Sequence, residues 1–184
     1  MKEAIPNVTK TTEPKPCIPK PESISEFSQI FRHAMAHLSS AVSIVTSNGE
    51  AGKVGITVSS VCSVTDSPPT LLFCVNQSSN LHNVIKQNGK VCINVLNHEQ
   101  EELAKHFACM LCSSMEERFE WDFWDISVDN QWILRDAISS LTGDIIDTHA
   151  VGTHTIFVVK LNDIQVQPNH SLVYFGRQFK SVAI

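Results

Sequence analysis

The chain predicts a mainly β protein, an antiparallel barrel with peripheral helices outside it. Two observations carry this expectation. Five to seven short runs have strand character, and most are joined by hairpin-length connections. Only two or three segments show helical spacing, which places helices around a sheet core and not between parallel strands. At 184 residues and 42% hydrophobic content, one domain with a real core is expected.

Residues 1–22 are polar and rich in Pro, Lys and Thr, and are expected to form a flexible tail ahead of a domain spanning 23–184. They lack the apolar stretch of a secretory signal, so a cytoplasmic address is expected. ISEFSQIFRHAMAHL (24–38) sets Ile24, Phe27, Phe31, Met35 and Leu38 at helical spacing, with Ser23 and Glu26 as a capping box. AVSIVTS (41–47) reads as a strand, and NGEAG (48–52) as a hairpin turn led by Asn-Gly. KVGITVSSVCSVT (53–65) reads as a strand that bends midway and stops at Asp66-Ser67-Pro68-Pro69. TLLFCVN (70–76) is continuously apolar and suits a central strand.

Ser78 or Ser79 is expected to cap a helix, SNLHNVIKQ, that ends at Asn88-Gly89. VCINVLN (91–97) reads as an alternating strand, and Asn97 with Gln100 caps HEQEELAKHFA (98–108). Residues 113–140 hold three tryptophans and yield no assignment. Residues 139–167 contain two strands around a short connection, and SLVYFGRQF (171–179) closes the chain as one strand or extended arm. No internal repeat is present.

Several function classes are disfavoured. The net charge is −5 and no window concentrates Lys and Arg, so nucleic acid is not an expected partner. No apolar run approaches the roughly eighteen residues of a membrane span. Neither G-x-G-x-x-G nor a P-loop occurs, nor does G-x-S-x-G or H-E-x-x-H, and no metal site is expected. Cys62, Cys74 and Cys92 read as small hydrophobes in strands. Cys109 and Cys112 form an isolated C-x-x-C, read as packing thiols of a reducing compartment. His33, His37, His82, His98 and His106 fall on helices, where exposure accounts for most of them. His154 differs, because it opens a strand after Gly-Thr, where it could orient a ligand carbonyl or amide.

The strip GITVSSVCSVTDSPPT (55–70) is small and hydroxyl-rich between two core strands. Thr57, Ser59, Ser60 and Ser63 would let a flat ligand lie against the backbone, with Asn76-Gln77-Ser78-Ser79 opening a helix whose N–H groups suit a phosphate. A solvated sheet face whose hydroxyls satisfy one another explains the same residues. Spacing leaves both open.

Six stretches in order go further: FRHAMAHLSSAVSIVT, GITVSSVCSVTDSPPTLLFCVN, GKVCINVLNHEQEELAKHFA, MEERF, AVGTHTIFVV and LVYFGRQF. Together they resemble the flavin reductase-like family, whose fold is an FMN-binding split β-barrel, over residues 31 to 179. Within it they are most similar to the reductase components of two-component 4-hydroxyphenylacetate 3-monooxygenases. The resemblance implies an NAD(P)H:flavin oxidoreductase. It would pass hydride from NADH, or NADPH, to FMN or FAD and supply reduced flavin to a separate aromatic-hydroxylating monooxygenase. It also implies a homodimer with each flavin near the subunit interface.

By the same resemblance the flavin ring follows Thr57, Ser59, Ser60 and Cys62, with backbone contacts from Val61. The ribityl phosphate falls to Asn76, Ser78 and Ser79. Lys105 and Phe107 would close over the flavin from the far side. His154 would sit beside the nicotinamide, with Tyr174 and Arg177 on a C-terminal arm near the same cleft. Two rivals share the fold. A pyridoxamine-phosphate-oxidase-like enzyme would need basic phosphate clamps that the strands lack, and a non-catalytic flavin binder or sensor would have no use for His154 or the arm.

Overall fold

The computed structural model describes residues 25–183. The expected tail (1–22), its Cys17, and Ser23 and Ile24 lie outside the described residues. Helix α1 (Glu26–Met35) is capped by Ser25, whose Oγ accepts from Ser28 N at 3.2 Å. The cap is thus two residues later than Ser23. Strand β1 (Ser40–Ala41) precedes the hairpin of β2 (Ser43–Gly49) and β3 (Gly52–Val58). Their register runs from Ser43↔Val58 to Gly49↔Gly52, so the turn is Glu50-Ala51 and the Asn-Gly pair ends a strand. Tertiary bonds hold it there. Asn48 N donates to Gln131 Oε1 and Asn48 Nδ2 to Asn130 O, both at 2.9 Å. Gly49 makes room for Asn88, whose Oδ1 lies 2.6 Å from where a Cβ would stand.

The chain bends at 59–61 into β4 (Cys62–Asp66), turns at Ser67-Pro68, and enters β5 (Pro69–Asn76). Pro69 therefore opens a strand, the position where a missing N–H costs least. Helix α2 (His82–Asn88) ends, as its sequence predicts, at Gly89 with φ 68. Its start differs from expectation, since Leu81 occupies the cap position and supplies no side-chain bond. Asn76 has claimed the serine instead: its Oδ1 accepts from both Ser78 N and Ser78 Oγ at 2.9 Å, forming an Asx turn before the helix.

Strand β6 (Lys90–Val95) is buried on both faces, not alternating, because β2 and β9 flank it and apolar layers cover each side. Asn97 makes the expected capping box with Gln100 across one turn of 3-10 helix (His98–Gln100), which runs on into α3 (Glu101–Phe107). The unassigned region holds α4 (Met115–Glu120), capped by Ser114 and Glu117, and a small hairpin of β7 (Trp124–Ile126) and β8 (Trp132–Leu134). Strands β9 (Ser139–Val151) and β10 (His154–Val166) form a long hairpin turning at Gly152-Thr153. The C-terminal segment is a hairpin and not one strand: β11 (Ser171–Phe175) and β12 (Gln178–Val182) turn at Gly176 (φ 59) and Arg177 (φ 63).

The main sheet runs β3-β2-β6-β9-β10-β5-β4 and is antiparallel throughout. Strands β3 and β4 follow each other in the chain yet lie at opposite ends of that order. Residues 59–61 therefore carry the backbone across the seam where the sheet curls on itself. Inside the curl, Val54 and Val58 of β3 pack with Leu71 and Phe73 of β5 and with Phe157 of β10. The Phe73 and Phe157 rings stack 5.1 Å apart. A second core, with Phe107, Phe119 and Trp124, fills the space between the sheet, α3, α4 and the β7–β8 hairpin. The third sheet, β1-β11-β12, flanks this core. Each fully buried Phe or Leu in these layers contributes about 1.5–3 kcal/mol.

Some chemical expectations change with burial. His82 and His106 are buried, not exposed, because each has a side-chain partner: Thr155 Oγ1 at 2.9 Å from His82 Nε2, and Ser113 Oγ at 2.9 Å from His106 Nδ1. Cys92 is a core thiol pushed up to about 11 by burial, whereas Cys62 is exposed. Cys109 is disulfide-bonded and Cys112 is not, so the C-x-x-C is not a matched pair of packing thiols. No described helix is long and apolar enough to cross a membrane.

Candidate active site

The seam is where the predicted residues gather. Thr57, on β3, donates its hydroxyl to Ala104 O of α3 at 2.8 Å. Ser60 grips β5 twice, donating to Cys74 O at 3.3 Å and accepting from Cys74 N at 3.1 Å. Both hydroxyls expected to edge a ligand therefore face the protein. The physical cause is the bend: residues 59–61 belong to neither ladder, so side chains must close the gap that ladder bonds would otherwise span. Ser59 is exposed, Val61 half-buried against the inner core, and Cys62 exposed at the start of β4. The N–H groups of Ser59 and Val61 find no acceptor among the described residues. The seam thus presents small side chains and free main-chain donors.

Two further groups border it. Two residues beyond Cys74, Asn76 pairs in register with His154 of β10. The next residue, Gln77, donates from its main chain to Thr153 O and from Nε2 to His154 O, each at 2.9 Å. His154 is exposed, with Nδ1 2.9 Å from Thr153 Oγ1. Ser78 lies on the Asn76 carboxamide, while Ser79 is turned inward and its Oγ accepts from Leu81 N at 3.3 Å. On the other side, α3 carries Lys105 one residue past the carbonyl held by Thr57. Lys105 Nζ pairs with Glu101 at 2.6 Å and lies 5.8 Å from the Phe179 ring, which meets Tyr174 edge-on at 5.1 Å. Arg177 is exposed at the hairpin turn.

The structure thus sets Asn76, with Ser78 bonded to it, beside His154, and sets Lys105 and Tyr174 on the same Phe179 ring. It does not bring Phe107 to the surface. That ring is 1% exposed and stands behind Gly55, where a Cβ would lie 2.5 Å from it. Phe107 supports the strip from beneath. Gln77, Thr153 and Phe179 are contacts that sequence reasoning missed, since nothing in their spacing marks them. A shallow cleft bounded by Arg135, Asp136, Ser140 and Gln165 shares no residue with this site.

Residues 35–183 match the flavin reductase like domain family. The chain belongs to that family. A 4-hydroxyphenylacetate 3-monooxygenase reductase component from Pseudomonas aeruginosa is 49% identical over 152 residues, covering 82% of this chain and 89% of the relative. An FMN reductase (NADH), RutF, from Serratia proteamaculans is 43% identical over 155 residues, covering 84% and 87%. Among solved structures, the NADH:FAD oxidoreductase SgcE6 of Streptomyces globisporus, in complex with NAD and FAD fragments, superposes with a TM-score of 0.78 at 25% identity, covering 89% of this chain and 98% of that one.

As a flavin reductase, the chain needs a surface that admits a flat heterocycle and meets its acceptor edge with donors. The seam fits that need. Its side chains at 59–62 are small or medium, Ser59 and Cys62 are exposed, and free N–H groups line its edge. The helix start is what differs from expectation: the residues before α2 form a side-chain-bonded turn that presents Asn76 and Ser78, and not the amides of a serine-capped helix.

Proposed function

We propose that this flavin reductase takes hydride from NADH or NADPH to FMN or FAD, using the seam for the flavin and His154 for the nicotinamide. The observation that carries the reading is the join between the two: Ser60 of the bend bonds across to Cys74 of β5, and Asn76, two residues further along that strand, is in register with His154. Bound flavin supplies the reactive atom that accepts hydride and yields reduced flavin when released. The chain's own task is positioning, which requires the two rings at about 3–3.5 Å and correctly stacked. The Ser59–Val61 amides orient the flavin edge, Lys105 with the Tyr174–Phe179 pair borders it from the α3 side, and His154 orients the nicotinamide. Arg177 extends the same arm.

The reduced flavin would pass to a separate flavin-dependent monooxygenase that hydroxylates an aromatic substrate, in line with the names of its relatives. A homodimer is supported by α1, which buries none of its residues and exposes Phe27, Ile30 and Phe31. Reliance on NAD(P)H, an intracellular reductant, supports a cytoplasmic setting.

Purified protein mixed with NADH and either flavin should show flavin-dependent loss of NADH absorbance. His154→Ala should raise KM for NADH while shifting flavin Kd by less than about twofold, since one hydrogen bond to the nicotinamide is removed and none to flavin. Absence of flavin-dependent oxidation in the wild-type protein would favour the non-catalytic binder, and wild-type kinetics in the variant would remove His154 from the site.

A further inference from the structure

Two side chains hold the turn that carries His154. We propose that Gln77 and Thr153 are positioning residues for nicotinamide: Gln77 fixes the main chain of the β9–β10 turn, and the Thr153 hydroxyl fixes the His154 ring with Nε2–H as its outward donor. The inference rests on the placement of His154 at the nicotinamide.

Gln77 grips two consecutive carbonyls, Thr153 O through its main-chain N–H and His154 O through Nε2, both at 2.9 Å. The turn stands at the tip of a hairpin of two 13-residue strands, with residues 151–154 all exposed. Such tips open readily when few bonds tie them down. Here the ladder pair His154↔Asn76 and the Gln77 clamp anchor the tip to β5 and the loop after it. Asn76 closes β5 and Ser78 lies in the anchored loop after it, so the clamp sets the distance between the two halves of the site.

Thr153 acts on the ring. Its Oγ1 lies 2.9 Å from His154 Nδ1. The hydroxyl can rotate to donate to an unprotonated Nδ1, and the proposed arrangement is the tautomer that carries the ring proton on Nε2. Nε2 has no partner among the described residues, so the ring offers an N–H to an incoming acceptor. The carboxamide oxygen of a nicotinamide is such an acceptor. Losing the hydroxyl frees the ring to rotate and to exchange its proton between the two nitrogens.

Thr153→Val keeps the branched shape and removes the hydroxyl. It should raise KM for NADH about fivefold, the worth of one neutral hydrogen bond, with kcat and flavin Kd changed less than about twofold. The nitrogen NMR signals of the His154 ring should lose their single Nε2–H pattern, and Thr153→Ser should restore both readouts. Gln77→Glu, which keeps the main-chain bond but loses the side-chain donor, should raise KM in the same direction. Wild-type KM and ring signals in Thr153→Val would overturn the inference. His154→Ala run alongside separates the two levels. A raised KM there with none in Thr153→Val overturns the Thr153 role alone, whereas no effect in His154→Ala overturns the nicotinamide placement and this inference with it.

Discussion

Replacing Ser60 by alanine separates two readings of the hydroxyl-rich strip. Ser60 belongs to the barrel seam. Its Oγ makes two bonds to Cys74, at 3.3 and 3.1 Å, and stands in for the ladder pairing that the bend removes. Each such bond contributes about 0.5–1.5 kcal/mol net, and these are long ones beside a half-buried residue that water can reach. Their joint loss should cost about 1–2 kcal/mol. For a chain of 184 residues that is a fall in Tm of about 2–8 °C. Flavin Kd should rise by less than about threefold, through loosening of the edge and not through a lost contact. Thermal unfolding followed by circular dichroism, with flavin titration by fluorescence quenching, checks both numbers. An unchanged Tm together with flavin binding weakened tenfold or more would refute the reasoning, because it would mean that the hydroxyl faces the ligand.

Gly143→Ala should destabilise by about 3 kcal/mol in urea unfolding, since the new Cβ would sit 2.2 Å from Lys160 O and 2.9 Å from Leu161 Cα, backbone atoms that cannot swing away. His106 gives a pH dependence. Burial, and secondarily the charge of Arg118, hold its pKa below the usual 6.5, against weaker opposing pulls from Glu102 and Glu117. The unfolded chain therefore binds a proton that the folded protein refuses, so stability is full above that usual value and declines as pH falls through it toward the folded value. The urea midpoint should drop as pH falls below about 6.5, and drop less in His106→Gln, which retains an acceptor for Ser113. Phe31→Glu, on the exposed face of α1, should convert the proposed homodimer to a monomer by light scattering with the helical signal unchanged. A dimer that persists would place the interface elsewhere.

Local signals were legible in the sequence where a few neighbouring residues complete their own hydrogen bonds. The Asn97–Gln100 capping box, Gly89 at the end of α2, and the paired strands of 139–167 are of that kind. The Ser114–Glu117 box was equally available but lay hidden among tryptophans whose short strands have no periodicity to read. Sequence and structure part where two local solutions compete. Ser78 and Ser79 are good helix caps by type, but Asn76 lies two residues upstream and takes the Ser78 amide first. Asn-Gly is a strong turn signal, yet Gln131, more than eighty residues away, holds Asn48 in the strand.

By itself the sequence determined that the fold is mainly β, that a small polar strip interrupts two core strands, and that its ordered motifs belong to flavin reductases. Only the tertiary structure decided which of the strip's hydroxyls look outward. The partners of Ser60 and Thr57 are Cys74 and Ala104, 14 and 47 residues away, and they arrive only when β3 and β4 close the barrel in one register. That register follows from burying Val54, Val58 and Phe73 on the same inner side, a condition spread across the sheet and invisible in any local window.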